Sequence, residues 1–320
     1  MSPVVIRVVW IAGALWCLTP WGTPPLALAV GIAVALLLPE PLPARARGLS
    51  RPLLQVSVVL LGFGMDLSTV LRAGAAGMAF AAATIAVTLL IGRLSGKWLG
   101  VAEKPSLLIS SGTAICGGSA IAAVSAVIGA GEEEISVAMG TVFVLNGAAL
   151  YLFPALGRIL GLSQQQFGTW AGISIHDISS VVGASSVYGL EALGRATAVK
   201  LARTLWIVPL SLGAALLWRR RGSQPSEGKS PRATVPWFIG FFLLASLLRS
   251  FWAPLAAAGP WIGRVARAGF TLTLFLIGAS LSRKSLAKVG WKPLAQGLLL
   301  WALIAGGSLA VILRFGTRSL

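Results

Sequence analysis

The chain has 320 residues, of which 56% are hydrophobic and only 11% charged, and its mean hydropathy is +0.86. A soluble chain of this length would be about a quarter charged, so there is too little polar surface here to coat a globule. The net charge of +17 does not point to nucleic acid, because the basic residues stand in short clusters between apolar runs, as in cytoplasmic loops that face an anionic leaflet.

The apolar runs approach the ~20 residues that a helix needs to cross ~30 Å of hydrocarbon. Read in chain order they give about eleven spans: Val4 to Pro20, Pro25 to Leu38, Pro52 to Leu71, Gly74 to Ile91, Ser106 to Gly129, Ile135 to Leu156, Phe167 to Tyr188, Thr197 to Trp218, Val235 to Leu248, Gly263 to Leu281 and Pro293 to Leu313. They must be helices, since only then are backbone groups paired where no water can pair them. The first run lacks a cleavage site followed by a polar start, and reads as a span rather than a signal peptide.

The richest basic connections lie around Arg45 to Arg51, Arg93 to Lys104, Arg219 to Arg232 and Arg283 to Lys292, with Arg158 on the same side by this count. Glu132, Glu133 and Glu134 fall opposite, in what reads as a solvated external turn. The positive-inside rule then places the N-terminus on the cytoplasmic side and the C-terminus on the opposite side of the membrane. Residues 1–320 form a single transmembrane domain, in which 219–236 is a cytoplasmic linker between helical bundles. One span plus five plus five predicts an inverted repeat. The echo between Leu61-Gly62-Phe63-Gly64-Met65-Asp66-Leu67 and Ile277-Gly278-Ala279-Ser280-Leu281-Ser282-Arg283 supports duplication without matching that register.

Two motifs could carry chemistry. The run from Ser110 through Gly112, Thr113, Cys116, Gly117, Gly118 and Ser119 to Ala120 weakens a helix by up to about 1 kcal/mol per glycine. Irregular backbone at membrane depth survives only beside a cavity or buried in protein. A break here would start a second half-helix near Gly117 and Gly118, its free N–H groups suited to an anion; close packing through small residues is the alternative.

The second motif is Gly172-Ile173-Ser174-Ile175-His176-Asp177-Ile178-Ser179-Ser180, with the chain's one histidine. Asp177 would lie roughly 13 Å into its span, where a charged side chain costs about 2.5 to 3.5 kcal/mol. His176 and Asp177 are candidates to carry a coupling ion; a pair satisfied by neighbouring serines is the other reading. Lys200 and Arg203 share a helix face. Arg203 could lean toward Asp177 or a bound anion, or both cations could snorkel to the interface. Asn146 adds a polar amide, and Pro154 a kink, to the sixth span. The two cysteines indicate no disulfide framework. Neither metal hydrolase spacing nor a nucleotide glycine pattern is present, so no enzyme, metal or cofactor is expected.

These motifs, with Leu61 to Met65, Gly112 to Ile121, Gly131-Glu132-Glu133 and Gln166-Phe167-Gly168-Thr169-Trp170-Ala171-Gly172, resemble the sulfate exporter family of bacterial inner-membrane proteins, often called YeiH-like. The family is distantly similar to bile-acid sodium symporters and cation/proton antiporters, which implies inverted repeats and crossed broken helices at the midplane. Cys116-Gly117-Gly118 is similar to the Cys-Pro-Gly-Gly element at such a crossing, without its proline.

The expected function is therefore secondary active transport of a small anion, sulfate or an organic sulfonate, coupled to H+ or Na+. The expected site comprises Gly112, Thr113, Cys116, Gly117, Gly118, Ser119, Asn146, His176, Ser179, Ser180 and Arg203, with His176 and Asp177 for the coupling ion. A cation/proton antiporter or sodium symporter with Asp177 as cation ligand is the alternative, and a non-transporting membrane sensor a third. The expected partners are the solute, the coupling ion, the lipid bilayer and a second copy in a homodimer, with no nucleic acid.

Overall fold

The computed structural model describes residues 3–19, 21–38, 42–220, 237–280 and 289–316, and among these the regular structure is entirely helical. The linker beyond residue 220 and the basic connection around Lys284, both prominent in the sequence, lie outside the described residues.

In chain order the helices are α1 (Pro3–Trp16), α2 (Pro24–Leu37), α3 (Ala44–Gly48), α4 (Ser50–Gly62), α5 (Leu67–Leu99), α6 (Glu103–Ala114), α7 (Gly118–Ile128) and α8 (Glu132–Ile159). There follow α9 (Gln164–Ser174), α10 (Ile178–Ser186), α11 (Leu190–Thr204), α12 (Ile207–Arg220), α13 (Trp237–Phe251), α14 (Ala253–Ser280) and α15 (Trp291–Phe315). Five stretches are long and apolar enough to cross a membrane: Phe80–Leu99, Glu132–Ile159, Leu190–Trp218, Ala257–Ser280 and Trp291–Phe315. Shorter apolar helices include α2, α7 and α13.

Small residues let the backbones approach. Gly31 of α2 lies so close to α14 that a side chain there would strike the Phe275 carbonyl, and Gly278 of α14 meets the Leu28 carbonyl in the same way. Apolar attraction between helices is weak in lipid, so close packing of this kind holds such bundles together. A second core forms where α8, α9 and α15 meet. Phe153 stacks on Trp170 with centroids 4.3 Å apart, Trp301 tilts against Phe153, and Trp170 Nε1 donates to the Ala305 carbonyl at 2.9 Å.

The run expected as the span Ser106 to Gly129 is a hairpin. Helix α6 ends at Ala114, the chain turns through Ile115–Gly117, and α7 returns; Leu108 and Ile109 pack with Val124, Val127 and Ile128. At the open end, Lys104 Nζ donates to the Gly129 carbonyl at 2.8 Å and pairs with Glu134 at 3.8 Å. Both ends of the α6–α7 pair therefore lie on one side.

The run expected as the span Phe167 to Tyr188 is also a hairpin, α9–α10, turning through Ile175–Asp177. Tyr188 Oη donates to the Leu162 carbonyl at 2.6 Å, the Phe167 and Tyr188 rings stack with centroids 3.7 Å apart, and Gln164 Oε1 accepts from Glu191 N at 3.0 Å.

Helix α8 connects the two hairpin bases. Its 28 residues are about 42 Å long, and at its far end Arg158 Nη2 donates to the Val187 carbonyl at 2.8 Å. The hairpins thus enter from opposite ends of α8, and α11–α12 runs back from the second base. The two interruptions are separated by α8 alone, so a five-plus-five register does not relate them.

Three further expectations change. Glu132, Glu133 and Glu134 form the first turn of α8 rather than a loop; Glu132 and Glu133 are exposed as expected, and Glu134 accepts from Gly131 N at 2.7 Å. They share a side with Lys104, while Arg158 lies at the other end. The boundary expected after Leu71 falls instead at Phe63–Asp66, and α5 continues unbroken for 33 residues. Asp66 sits in that turn, accepting from Ser68 N at 2.9 Å.

Candidate functional site

The tips of the two hairpins meet. A methyl group built on Gly117 would stand 3.5 Å from the Cβ atoms of both His176 and Asp177, and 3.3 Å from Val142 Cγ1 of α8. Gly117 itself has φ +66° and ψ −123°, a conformation that only glycine adopts without strain. It lets Gly117 N reach back to the Gly112 carbonyl at 2.8 Å while the chain reverses into α7. Gly112 packs against Ile121 and Val142, and Gly118 against Met139.

The first tip exposes the carbonyl end of α6, where a helix carries partial negative charge and has no internal donors left. Two cations from α11 meet it. Arg203 Nε donates to the Ala114 carbonyl at 2.7 Å and Lys200 Nζ to the Ile115 carbonyl at 3.3 Å. Arg203 Nη1 also donates to Thr84 Oγ1 of α5 at 2.9 Å. Each cation is 1% exposed, so neither snorkels, and Arg203 makes its hydrogen bonds to Ala114 and Thr84 rather than to Asp177. Cys116 is free and buried in the turn, Thr113 is buried beside it, and Ser119 at the start of α7 is exposed. The first N–H groups of α7 have no partner inside the helix, as its geometry requires.

The second tip is built on Asp177. As N-cap of α10 its carboxylate accepts from Ser180 N at 2.7 Å and Ser180 Oγ at 2.9 Å, and from the Ser179 hydroxyl. One residue earlier in the chain, His176 N and Nδ1 both lie 3.2 Å from Asn146 Oδ1 of α8. His176 and Asn146 are 1% and 2% exposed. Their remaining nitrogens, His176 Nε2 and Asn146 Nδ2, are buried without a partner, as are Arg203 Nη2 and Thr113 Oγ1. A buried polar atom left unpaired costs about 1 to 3 kcal/mol, and such atoms gathered at one place are what a ligand would satisfy.

The residues picked out in the sequence are therefore brought together, with Ser119 at the edge. Sequence reasoning assigned no role to Thr84 or to the Ala114 and Ile115 carbonyls. Thr84 sits in an apolar run that gives no signal, and carbonyls are invisible in a sequence. The Asp177-Ile178-Ser179-Ser180 order does carry a signal, that of an N-cap starting a new helix.

Opposed hairpins meeting among buried charges, within a bundle of long apolar helices, define a polytopic helical membrane protein. The chain belongs to the family described as conserved hypothetical protein 698, which matches residues 3–297. It is 51% identical over 299 residues to a UPF0324 membrane protein of Porphyromonas gingivalis, covering 92% of this chain and 88% of the relative. With a UPF0324 membrane protein of Bdellovibrio bacteriovorus it shares 44% identity over 309 residues, covering 97% and 94%. These matches bear out the family resemblance read from the motifs. No solved structure matches the chain.

Proposed function

We propose that this protein is a secondary active transporter of a small anion, sulfate or an organic sulfonate being the class that the family resemblance implies, working by alternating access coupled to H+ or Na+. One observation carries the reading. Lys200 and Arg203, both 1% exposed, stand side by side at the meeting of the hairpin tips, and among the described residues neither has a carboxylate within ion-pairing distance. Their partners are carbonyls and one hydroxyl. Burying two cations with no ion-paired carboxylate is costly; Asp177 acts on Lys200 only from beyond ion-pairing distance, and the half-charge at the end of α6 offsets only part of the cost. An anion would complete the balance, using Arg203 Nη2, Asn146 Nδ2 and the first N–H groups of α7.

On this reading α1, α2, α4, α5, α8, α11–α12, α13, α14 and α15 cross the bilayer, and the two hairpins enter and return. Exchanging two spans for two hairpins keeps the number of crossings odd. The face bearing Arg93, Lys97 and the end of α12 is cytoplasmic by the positive-inside rule, with the C-terminus in the periplasm of a bacterial inner membrane. His176 and Asp177 would carry the coupling ion. Asp177 is a weaker candidate for a transported cation's ligand, because its oxygens already serve Ser179 and Ser180.

The test is flux in proteoliposomes. Radiolabelled sulfate, sulfite, thiosulfate and taurine are offered to the inserted protein with and without pH and Na+ gradients. Uptake of one of them, lost in Lys200→Gln and Arg203→Gln, supports the proposal. No movement of any anion, with cations moving instead, overturns it.

A further inference from the structure

A cavity lies away from the hairpin tips. It has a volume of about 700 Å3 and opens between α5, α6 and α12, on the side of the first hairpin's base. Arg93 and Lys97 of α5, one turn apart on the helix, and Glu103 at the start of α6 line it, and all three are exposed, so its charged lining is net positive. Ser106 and Ser110 of α6 and Leu210 and Gly213 of α12 line it further in. The cavity therefore has two cations and one carboxylate at the mouth, hydroxyls on one wall and apolar side chains on the others.

Its inner end faces the hairpin tips. Ser110 is one turn before Ala114, the residue whose carbonyl takes Arg203. Leu89 and Leu210 line the cavity and also pack into a cluster with Ile85, Ile115, Cys116 and Ile207. A single apolar layer thus separates the cavity from the turn that Lys200 and Arg203 hold. One side of that layer belongs to α12, which starts at Ile207 just past the interruption at Leu205–Trp206. The joint follows directly after Arg203.

We infer that this cavity is a hydrated access vestibule for small anions, with Arg93 and Lys97 as its electrostatic collar, and that Leu89, Leu210 and Ile207 form the seal that closes it from the buried cations. Cations at the mouth of a low-dielectric cleft concentrate counter-ions and raise their arrival rate. A ring of apolar side chains blocks an ion by excluding its water, with no need for a tight steric plug. The role as an access path rests on the transport reading; the hydration and charge preference of the cavity do not.

Thiol labelling tests the two separately. A methyl group at Gly213 would meet no heavy atom within 4 Å, so Gly213→Cys places a thiol in the vestibule without disturbing packing. The wild-type chain is the blank, since Cys17 and Cys116 are 1% and 3% exposed. Gly213→Cys in sealed vesicles is expected to react with a membrane-impermeant, negatively charged methanethiosulfonate from the Arg93 face only. Adding Arg93→Ala and Lys97→Ala should slow that reagent on the order of tenfold at low salt and leave a positively charged one unslowed. Leu210→Ser in the otherwise native chain should make Cys116 reactive from the same face. No labelling of Gly213→Cys from either face, as expected of a gap filled by lipid, overturns the vestibule; equal slowing of both reagents overturns the collar; and an unreactive Cys116 in folded Leu210→Ser overturns the seal. Labelling as expected in a protein that moves no anion would leave the vestibule standing and remove the transport reading.

Discussion

Gly117→Ala probes the contact on which the site depends. The backbone there has φ +66° and ψ −123°, where a side chain brings strain of about 1 to 3 kcal/mol. The new methyl would stand 3.3 Å from Val142 Cγ1, and 3.5 Å from the Cβ atoms of His176 and Asp177. The Val142 contact is tighter than usual, and the methyl it meets belongs to a β-branched side chain in the middle of α8 with little rotamer freedom. Separation of the tips by a few tenths of an ångström is the cheapest relief. The expected loss is about 2 to 3 kcal/mol, most of it backbone strain. Gly147→Ala is the matched control: it lies within α8, its added methyl meets nothing within 4 Å, and its φ is not positive. Alanine there should be neutral or stabilising by up to about 1 kcal/mol. Unfolding of both variants in mixed micelles, followed by circular dichroism, measures the difference. If Gly117→Ala proves as stable as Gly147→Ala, the turn does not have the geometry described and the meeting of the tips loses its support.

Arg203→Lys should fail to restore the flux lost in Arg203→Gln, because an ammonium cannot reach the Ala114 carbonyl and Thr84 Oγ1 together as the guanidinium does; a Lys variant with wild-type flux in proteoliposomes would refute that role. Asp177→Asn should keep the fold, since asparagine caps a helix about as well as aspartate, while removing the pH dependence of flux; an unchanged pH profile dismisses Asp177 as the coupling group. Impermeant thiol reagents should label Glu132→Cys and Arg158→Cys from opposite faces, with Glu132 on the face of Lys97. Labelling of Glu132→Cys opposite to Lys97→Cys would restore the single span across Ser106 to Gly129.

The interruption at Gly117 was legible because glycine and hydroxyl residues accumulate there and lower helix stability locally. The second was less so. No glycine or proline stands between Ser174 and Ser179, and the helix stops only because Asp177 takes the N–H of Ser180 and starts another. The hairpin topology was not legible at all. About 24 apolar residues suit a crossing as well as a return trip, and the difference is decided by contacts far apart in sequence, Lys104 with Gly129 at one base and Tyr188 with Leu162 at the other. Hydropathy also carried the third span past Phe63–Asp66, although Gly62, Gly64 and Asp66 have the composition of a turn. The membrane class needed no such distant contacts, because composition and the recurrence of apolar runs carry it.

On the transport reading, charge would be coupled to movement in a definite order. Lys200 and Arg203 hold the first hairpin by its last carbonyls, and Arg203 is also the last turn of α11 before the joint to α12. An anion arriving among these groups competes with Ala114 and Ile115 for the same donors, since a charged acceptor forms hydrogen bonds roughly twice as strong as a neutral carbonyl. Drawing Arg203 toward the anion would loosen its hold on α6 and shift the residues that lead into α12, the helix that lines the proposed vestibule and half of its seal. A ligand shifts a conformational equilibrium only by its difference in affinity for the two states. On this reading that difference would come from the donors, which serve the hairpin carbonyls here and would turn to the anion when it binds.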